Sequence, residues 1–212
     1  MKITKLGHAC LVVEEGEAQI LIDPGAYSQG FEGLRELDAV LVTHQHADHV
    51  TPEALAKIRQ NNPGIAVYAD EGTVEVMAGR GDVDVKPVHA GEEFDVAGVK
   101  VKVFGSDHAV IHPTIPGIEN VGYMIAARFF YPGDNFTQPG DPVEVLALPF
   151  GAPWLKVSEV IDYVMAVKPL VAIPVHDAVL AIPQMNVAIV KRFTDPASIE
   201  LRVVENGTTT EV

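Results

Sequence analysis

Apolar and polar positions along the chain fall into short blocks, most of them ending at Gly, Pro, Asn or Asp. "KITKL" (2–6), "CLVVE" (10–14) and "AQILID" (18–23) read as strands that open the chain. "AVLVT" (39–43) is a continuous apolar run, as expected of a strand covered on both faces. "VKVKVF" (99–104) alternates strictly, with Val99, Val101 and Val103 on one face and Lys100 and Lys102 on the other. Further strands are predicted over 122–130, 143–148, 170–175 and 199–204.

Helical spacing appears between these runs. Thr51 followed by Pro52 is an N-cap with proline in the first turn, and Leu55 and Ile58 give that helix an apolar face. It should end before Asn61-Asn62-Pro63-Gly64. Over 157–167, Val157, Val160, Ile161 and Val164 recur at helical spacing, and Pro169 bounds the segment. A third helix is predicted over about 184–193. Strands outnumber helices and interleave with them, which points to a layered α/β protein with sheet on both sides of a core. No linker or repeat interrupts the pattern, so residues 1–212 read as one domain.

Composition narrows the picture. At 212 residues and 48% hydrophobic content the chain can bury one sizeable core. No apolar run approaches the ~18 residues a membrane span needs, and the opening lacks the apolar region of a signal peptide, so a soluble cytoplasmic protein is expected. The single cysteine, Cys10, excludes an internal disulfide framework and a cysteine-rich zinc site; within "ACLVV" it reads as a small buried hydrophobe. A net charge of −14 repels phosphate backbones and favours a small-molecule substrate over nucleic acid. A homo-oligomer is compatible with such a surface.

The candidate chemistry begins in "LVTHQHADHV" (41–50), which holds His44, His46, Asp48 and His49 in a chain with eight histidines. Taken alone, this cluster fits a solvated turn capping the next helix as well as it fits a metal site. The other candidates decide, because each follows an apolar strand: Asp23 after "AQILI", His108 after 99–104, Asp134 in "YPGDN", and His176 after "LVAIPV". Layered α/β proteins build ligand sites at such strand ends. Five imidazoles and two carboxylates can hold two divalent cations, zinc first, with manganese, iron or nickel also compatible. A water shared by such a pair has its pKa lowered toward ~7 and can attack a carbonyl or a phosphorus as hydroxide.

"THQHADH" resembles the H-x-H-x-D-H signature of the metallo-β-lactamase superfamily, and "LIDPG" resembles its first motif. His108, Asp134 and His176 follow in that superfamily's order, and the similarity runs from "LGHAC" to "VVENG". The resemblance implies an αββα sandwich: two mixed sheets, helices outside, and a dinuclear site at one sheet edge. It assigns His44, His46 and His108 to one metal, Asp48, His49 and His176 to the other, and Asp134 to the bridge. Asp48 would also manage protons as the catalytic carboxylate. Asp23 would support a ligand histidine, with His8 beside the site. The opening "GHA", the short length and the bridging aspartate resemble the small metal-dependent hydrolases related to L-ascorbate-6-phosphate lactonase. Asn135, where the family has threonine, and Asp177-Ala178 after His176 depart from its pattern.

The expected activity is dinuclear hydrolysis of a small-molecule ester, lactone or phosphoester by a bridging hydroxide. The alternatives are a phosphodiesterase or nuclease of the same superfamily and a non-catalytic metal-binding protein. His112, four residues after His108, is a candidate substrate contact, as are Tyr27 and Trp154; Tyr27, Trp154 and Phe150 could form apolar walls. Lys156 and Arg128 could meet an anionic group, and each also fits an ordinary surface charge. His89 should face solvent.

Overall fold

The computed structural model describes residues 1–80, 84–105 and 107–212. The chain opens with β1 (Lys2–Lys5), β2 (Leu11–Glu15), β3 (Ala18–Ile22) and β4 (Ala39–Leu41), then α1 (Pro52–Asn61), β5 (Ala66–Ala69), α2 (Glu71–Met77) and β6 (Val85–Pro87). There follow β7 (Glu93–Val96), β8 (Val99–Phe104), β9 (Gly122–Ile125), β10 (Phe129–Tyr131) and β11 (Val145–Pro149). Last come α3 (Val157–Val167), β12 (Val171–Val175), α4 (Pro183–Thr194), β13 (Glu200–Leu201) and β14 (Thr209–Glu211).

The strands form two seven-stranded sheets, ordered β14-β1-β2-β3-β4-β5-β6 and β13-β12-β11-β10-β9-β8-β7. Each is mixed. The first is antiparallel from β14 to β3 and parallel from β3 to β6. The second is antiparallel from β7 to β10 and parallel from β10 to β13.

Alternation along the strands builds the layers. Ile20, Ile22, Ala39 and Leu41 point between the sheets, where they meet Val101, Val103, Tyr123 and Ile125. Their neighbours Leu21, Val40 and Val42 point outward, against Leu55 and Ile58 of α1 and Met77 of α2. On the other side Phe130, Leu146 and Leu148 pack on Val160 and Val164 of α3 and Val190 of α4. Each such fully buried side chain contributes about 1.5–3 kcal/mol relative to exposure. The result is the expected αββα sandwich. In β8 the predicted valine face is the buried one.

Two expectations need correction. The run 122–130 is not one strand: Ala126 and Ala127 take left-handed backbone (φ 54 and 52) and turn β9 back onto β10. Alanine carries no turn signal, so composition hid the hairpin. Helix α1 runs through Asn61, and Asn62 ends it by donating its side-chain amide to the carbonyl of Ile58. The sequence reading also passed over β5, α2, β6, β7 and β14, each of seven residues or fewer. Among the described residues, no helix is long and apolar enough to cross a membrane.

Two buried tyrosines tie the sheets together. Tyr123 on β9 donates its hydroxyl to the carbonyl of Val42, and Tyr131 on β10 donates to the carbonyl of Ala9, each at 2.7 Å. Tyr123→Phe strands the buried Val42 carbonyl, so a loss of ~1–3 kcal/mol is expected in urea unfolding. An unchanged midpoint would show that the tyrosine does not carry this contact.

Candidate metal centre

The ligand-bearing segments leave the two sheets at one edge. Asp23 directly follows β3, His176 directly follows β12, and His44, His108 and Asp134 lie within four residues of the ends of β4, β8 and β10. Asp23 and His176 both hold left-handed backbone, with φ of 46 and 59. Non-glycine residues rarely adopt that conformation, and it concentrates at functional sites. At His176 it is held by a 2.6 Å bond from the backbone amide to the carbonyl of His8.

The loop after β4 is pressed onto the loop after β3. Ala26 donates its amide to the carbonyl of Ala47 at 2.8 Å. A Cβ on Gly25 would sit 1.8 Å from the backbone oxygen of Asp48, so only glycine permits this approach. The loop then closes on itself, with the amides of His49 and Val50 both bonded to the carbonyl of His46, before Thr51 caps α1.

A layer of hydrogen bonds behind the histidines sets which nitrogen each ring turns inward. The Thr43 hydroxyl donates to Asp23 Oδ2 at 2.8 Å, so it can only accept from His44 Nδ1, 3.0 Å away. That leaves the lone pair of His44 on Nε2, which faces His46 Nδ1 at 3.1 Å. His49 Nδ1 donates to Asp23 Oδ2 at 2.7 Å. The Nδ1 atoms of His108 and His176 donate to the carbonyls of Ala109 and Gly151 at 2.6 and 2.5 Å. In each of these four rings Nδ1 is engaged and Nε2 is presented inward, the arrangement found when outer hydrogen bonds orient metal-binding imidazoles.

Asp134 lies at the centre. Its Oδ2 is 3.3 Å from His108 Nε2 and 3.1 Å from His176 Nε2, and its Oδ1 is 3.3 Å from His49 Nε2. Two devices hold it: Trp154 Nε1 donates to Oδ2 at 2.8 Å, and the Asp134 amide donates to Asn120 Oδ1 at 2.9 Å. The donor atoms form three groups, each within 4.8 Å: His44, His46, His108 and Asp134; His49, Asp134 and His176; and His8, Asp48 and His176. Asp134 is common to the first two groups. Asp48 falls with His8 and His176, and His49 with Asp134.

The donor set fits cations. The Nε2 atoms of His49, His108 and His176 and Oδ1 of Asp134 are buried, and the polar neighbours they find are one another and Asp48, at 3.1 to 3.4 Å. Buried polar atoms normally find a well-formed hydrogen bond; these instead crowd together in one place.

Electrostatics divides the rings. Burial lowers the His44 pKa well below its usual range and lowers those of His46 and His8 as well. At His49 burial also pulls down, but the Asp134 and Asp23 carboxylates outweigh it and raise the pKa well above normal. At His176 burial is likewise outweighed, by hydrogen bonds to Asp134 and Asp48, and the pKa rises to about 9. Burial pushes Asp48 up, yet hydrogen bonds from His176 and His8 hold it below the ordinary carboxylate range.

The remaining candidates take distinct places. His8 accepts at Nδ1 from the Ala178 amide at 3.1 Å, so its neutral ring carries the proton on Nε2, which faces Asp48 Oδ2 at 3.3 Å. Trp154 bonds to Asp134 rather than standing as a plain apolar wall. Phe150 is no wall either; it is buried in the core between the second sheet and its helices. Tyr27 is 59% exposed and lies edge-on to His8 at 5.5 Å. Arg128 pairs with Glu144 and Glu15, Lys156 sits at the start of α3, and His89 is exposed beside Glu71 and Glu92. His112 lines a cavity with His46 and His108. Asn135 donates its side-chain amide to the Asp107 carbonyl, away from Asp134. Asp177 forms a 2.8 Å ion pair with buried Lys5. Thr43 and Asn120 were not singled out in the sequence; a threonine just before a histidine cluster and an asparagine ahead of a strand carry no distinctive signal.

With the geometry in place, the chain can be set beside known proteins. A family model described as "Beta-lactamase superfamily domain" matches residues 2–176. Protein Rv0786c of Mycobacterium tuberculosis is 41% identical over 96% of both chains. The UPF0173 metal-dependent hydrolase MJ1163 of Methanocaldococcus jannaschii is 26% identical over 97% of both. Among solved structures, Igni18, a metallo hydrolase of Ignicoccus hospitalis, superposes with a TM-score of 0.75 at 21% identity, covering 100% of this chain and 98% of its own.

Two outcomes follow for metal binding. His49 and His176 carry protons at neutral pH in the metal-free protein, and a ligand histidine must be neutral, so binding releases protons. Affinity should therefore rise with pH through about 9, and calorimetry in buffers of different ionisation enthalpy should count the protons released. Asp23→Asn, which loosens His49, should weaken binding about 10- to 100-fold in competition with a chromophoric chelator; equal affinity would remove Asp23 from this role.

Proposed function

The chain belongs to the β-lactamase superfamily domain family, and from that premise we propose that it is a metal-dependent hydrolase of a small molecule, holding two divalent cations. The observation that carries this reading is the convergence of buried donor atoms from His49, His108, His176 and Asp134 on one another, at 3.1 to 3.3 Å. The likeness to MJ1163, a UPF0173 metal-dependent hydrolase, and to Igni18, a metallo hydrolase, supports it.

His44, His46 and His108 with Asp134 would hold one ion and His49 and His176 with Asp134 the other, with Asp48, grouped with His176 and His8, reaching the second from its exposed side. Imidazole with carboxylate suits zinc first, and also manganese, iron or nickel. When bound, the ions supply an acidified water as nucleophile and positive charge opposite the developing oxyanion.

The chain's own residues supply position and proton traffic. Asp134 is buried and locked by Trp154, so it fixes geometry. Asp48 is 23% exposed, and its Oδ2 lies 3.3 Å from His8 Nε2 and 3.4 Å from His176 Nε2. A carboxylate so placed is ionised at neutral pH, can accept the proton that water loses, and can return it to the departing oxygen. In the balance, water oxygen joins the acyl carbon, the carbon–oxygen bond to the leaving group breaks, and that group leaves as an alcohol.

The test is a panel of lactones, carboxylic esters and phosphoesters offered to protein reconstituted with zinc or manganese. Turnover is expected, with loss on chelation and recovery on re-addition of metal. Asp48→Asn should lower kcat by about 10²–10⁴, and His46→Ala should lose both metal and rate. Tight metal binding with no turnover on any member would make this a metal-binding protein and end the hydrolase reading.

A further inference from the structure

Between His108 and Ile118 the chain forms a loop fastened at its base beside the metal centre. The amide of His108 bonds to the carbonyl of Ile118 at 2.9 Å, and that of Ala109 to the carbonyl of Asp134 at 2.8 Å. A turn from His112 to Ile115, also 2.9 Å, and two prolines, Pro113 and Pro116, restrict the tip. The loop and His46 enclose a cavity of about 400 Å³, within the usual range for small-molecule sites. Its floor is His46 and His108, and its walls include Val110, Ile111, Ile115 and Ile118. Val110 is 73% exposed and Ile115 51%. Scattered exposed apolar side chains need no explanation, but several gathered around one cavity mark a binding surface.

Charge around the site points the same way. Segments 6–34, 36–56, 103–127, 129–155 and 169–190 together bear every candidate metal ligand, and they contain no lysine or arginine. Nearby Lys5 is spent on Asp177 and the Pro174 carbonyl. Among the described residues the 108–118 cavity is lined by no lysine or arginine, and Arg80 lines a separate cavity on the far side of Gln45 and Ala47, whereas sites that recognise phosphate usually present arginine or lysine.

We propose that the 108–118 loop is the subsite for a hydrocarbon group, and that the substrate is an uncharged ester, lactone or amide carrying an alkyl or aryl substituent. The substrate class rests on the hydrolase reading; the subsite does not. His112 closes the polar side of the cavity. Its Nδ1 is held by Thr114, 2.8 Å from the hydroxyl and 3.2 Å from the amide, so Nε2 is the ring nitrogen left to meet a polar group of the ligand.

Two measurements test this separately. In the first, 4-nitrophenyl esters from acetate to octanoate are compared with bis-4-nitrophenyl phosphate on metal-loaded protein. The expected result is a two- to fourfold rise in kcat/KM per methylene, the upper value corresponding to about 0.8 kcal/mol, with the diester the poorest substrate. Val110→Asp should cut the octanoate-to-acetate ratio at least tenfold; Ile115→Ser is a second, milder variant at another exposed position. In the second, alkanols from butanol to octanol displace the neutral dye N-phenyl-1-naphthylamine, with or without metal. Displacement that sharpens with chain length and is blunted by Val110→Asp supports the subsite even if no ester turns over, in which case only the hydrolase reading falls. Ester turnover with no chain-length dependence in either assay overturns the subsite and leaves the hydrolase reading standing. Faster cleavage of the diester than of every ester, or Val110-dependent sedimentation with phosphatidylcholine vesicles, also overturns it.

Discussion

Burying several imidazoles and carboxylates side by side costs a folded protein desolvation energy, and this one turns the Nε2 atoms of His49, His108 and His176 and Oδ1 of Asp134 toward a single place. The surrounding architecture exists to hold that expensive arrangement. Asp23, Thr43 and the carbonyls of Ala109 and Gly151 occupy the outer nitrogens of four rings, so the inner nitrogens cannot turn away to find solvent or backbone. Two positively charged ions would offset the cost at a stroke. Within the cluster the carboxylates of Asp134 and Asp23 outweigh burial at His49, and hydrogen bonds to Asp134 and Asp48 outweigh it at His176, whereas at His44 burial prevails and drives the pKa down.

The sandwich gives this site its rigidity. Neither sheet supplies the whole candidate site: Asp23 and the His44–His49 cluster follow strands of the first, and His108, Asp134 and His176 follow strands of the second. The two halves are brought into register by the interleaved core and by the hydroxyls of Tyr123 and Tyr131, which reach from the second sheet to backbone of the first half. The left-handed backbone at Asp23 and His176 is tolerated because hydrogen bonds on both sides over-determine it.

Much of this was legible in the sequence, for specific reasons. Alternation in β8 and the continuous run before His44 reported burial directly, because side-chain direction in a strand has a period of two. The placement of polar residues after apolar runs exposed the site, since strand ends are where rigid scaffolds present chemistry. The Ala126-Ala127 turn was not legible, because alanine in a left-handed conformation is paid for by the packing of Phe129 and Ile125 rather than announced locally. The role of Trp154 was hidden likewise: its ring looks like wall material until its indole nitrogen is found on Asp134, twenty positions earlier. The apolar character of the 108–118 loop is visible in the letters, but its fastening beside His46 is a tertiary fact.

The division of ligands between the sheets has a consequence in time. On the ribosome the cluster from His44 to His49 emerges well before its partners, since His176 lies 176 − 46 = 130 residues beyond His46. At ordinary rates of synthesis of about 5–20 residues per second, that gap lasts roughly 7–26 s. During it His108 and Asp134 join the cluster, and His176 is the last of the candidate ligands to emerge. Only when β12 has slotted between β11 and β13 can the last histidine take its place, so the candidate site is completed by the finished sandwich and not by the segment that first displays the cluster.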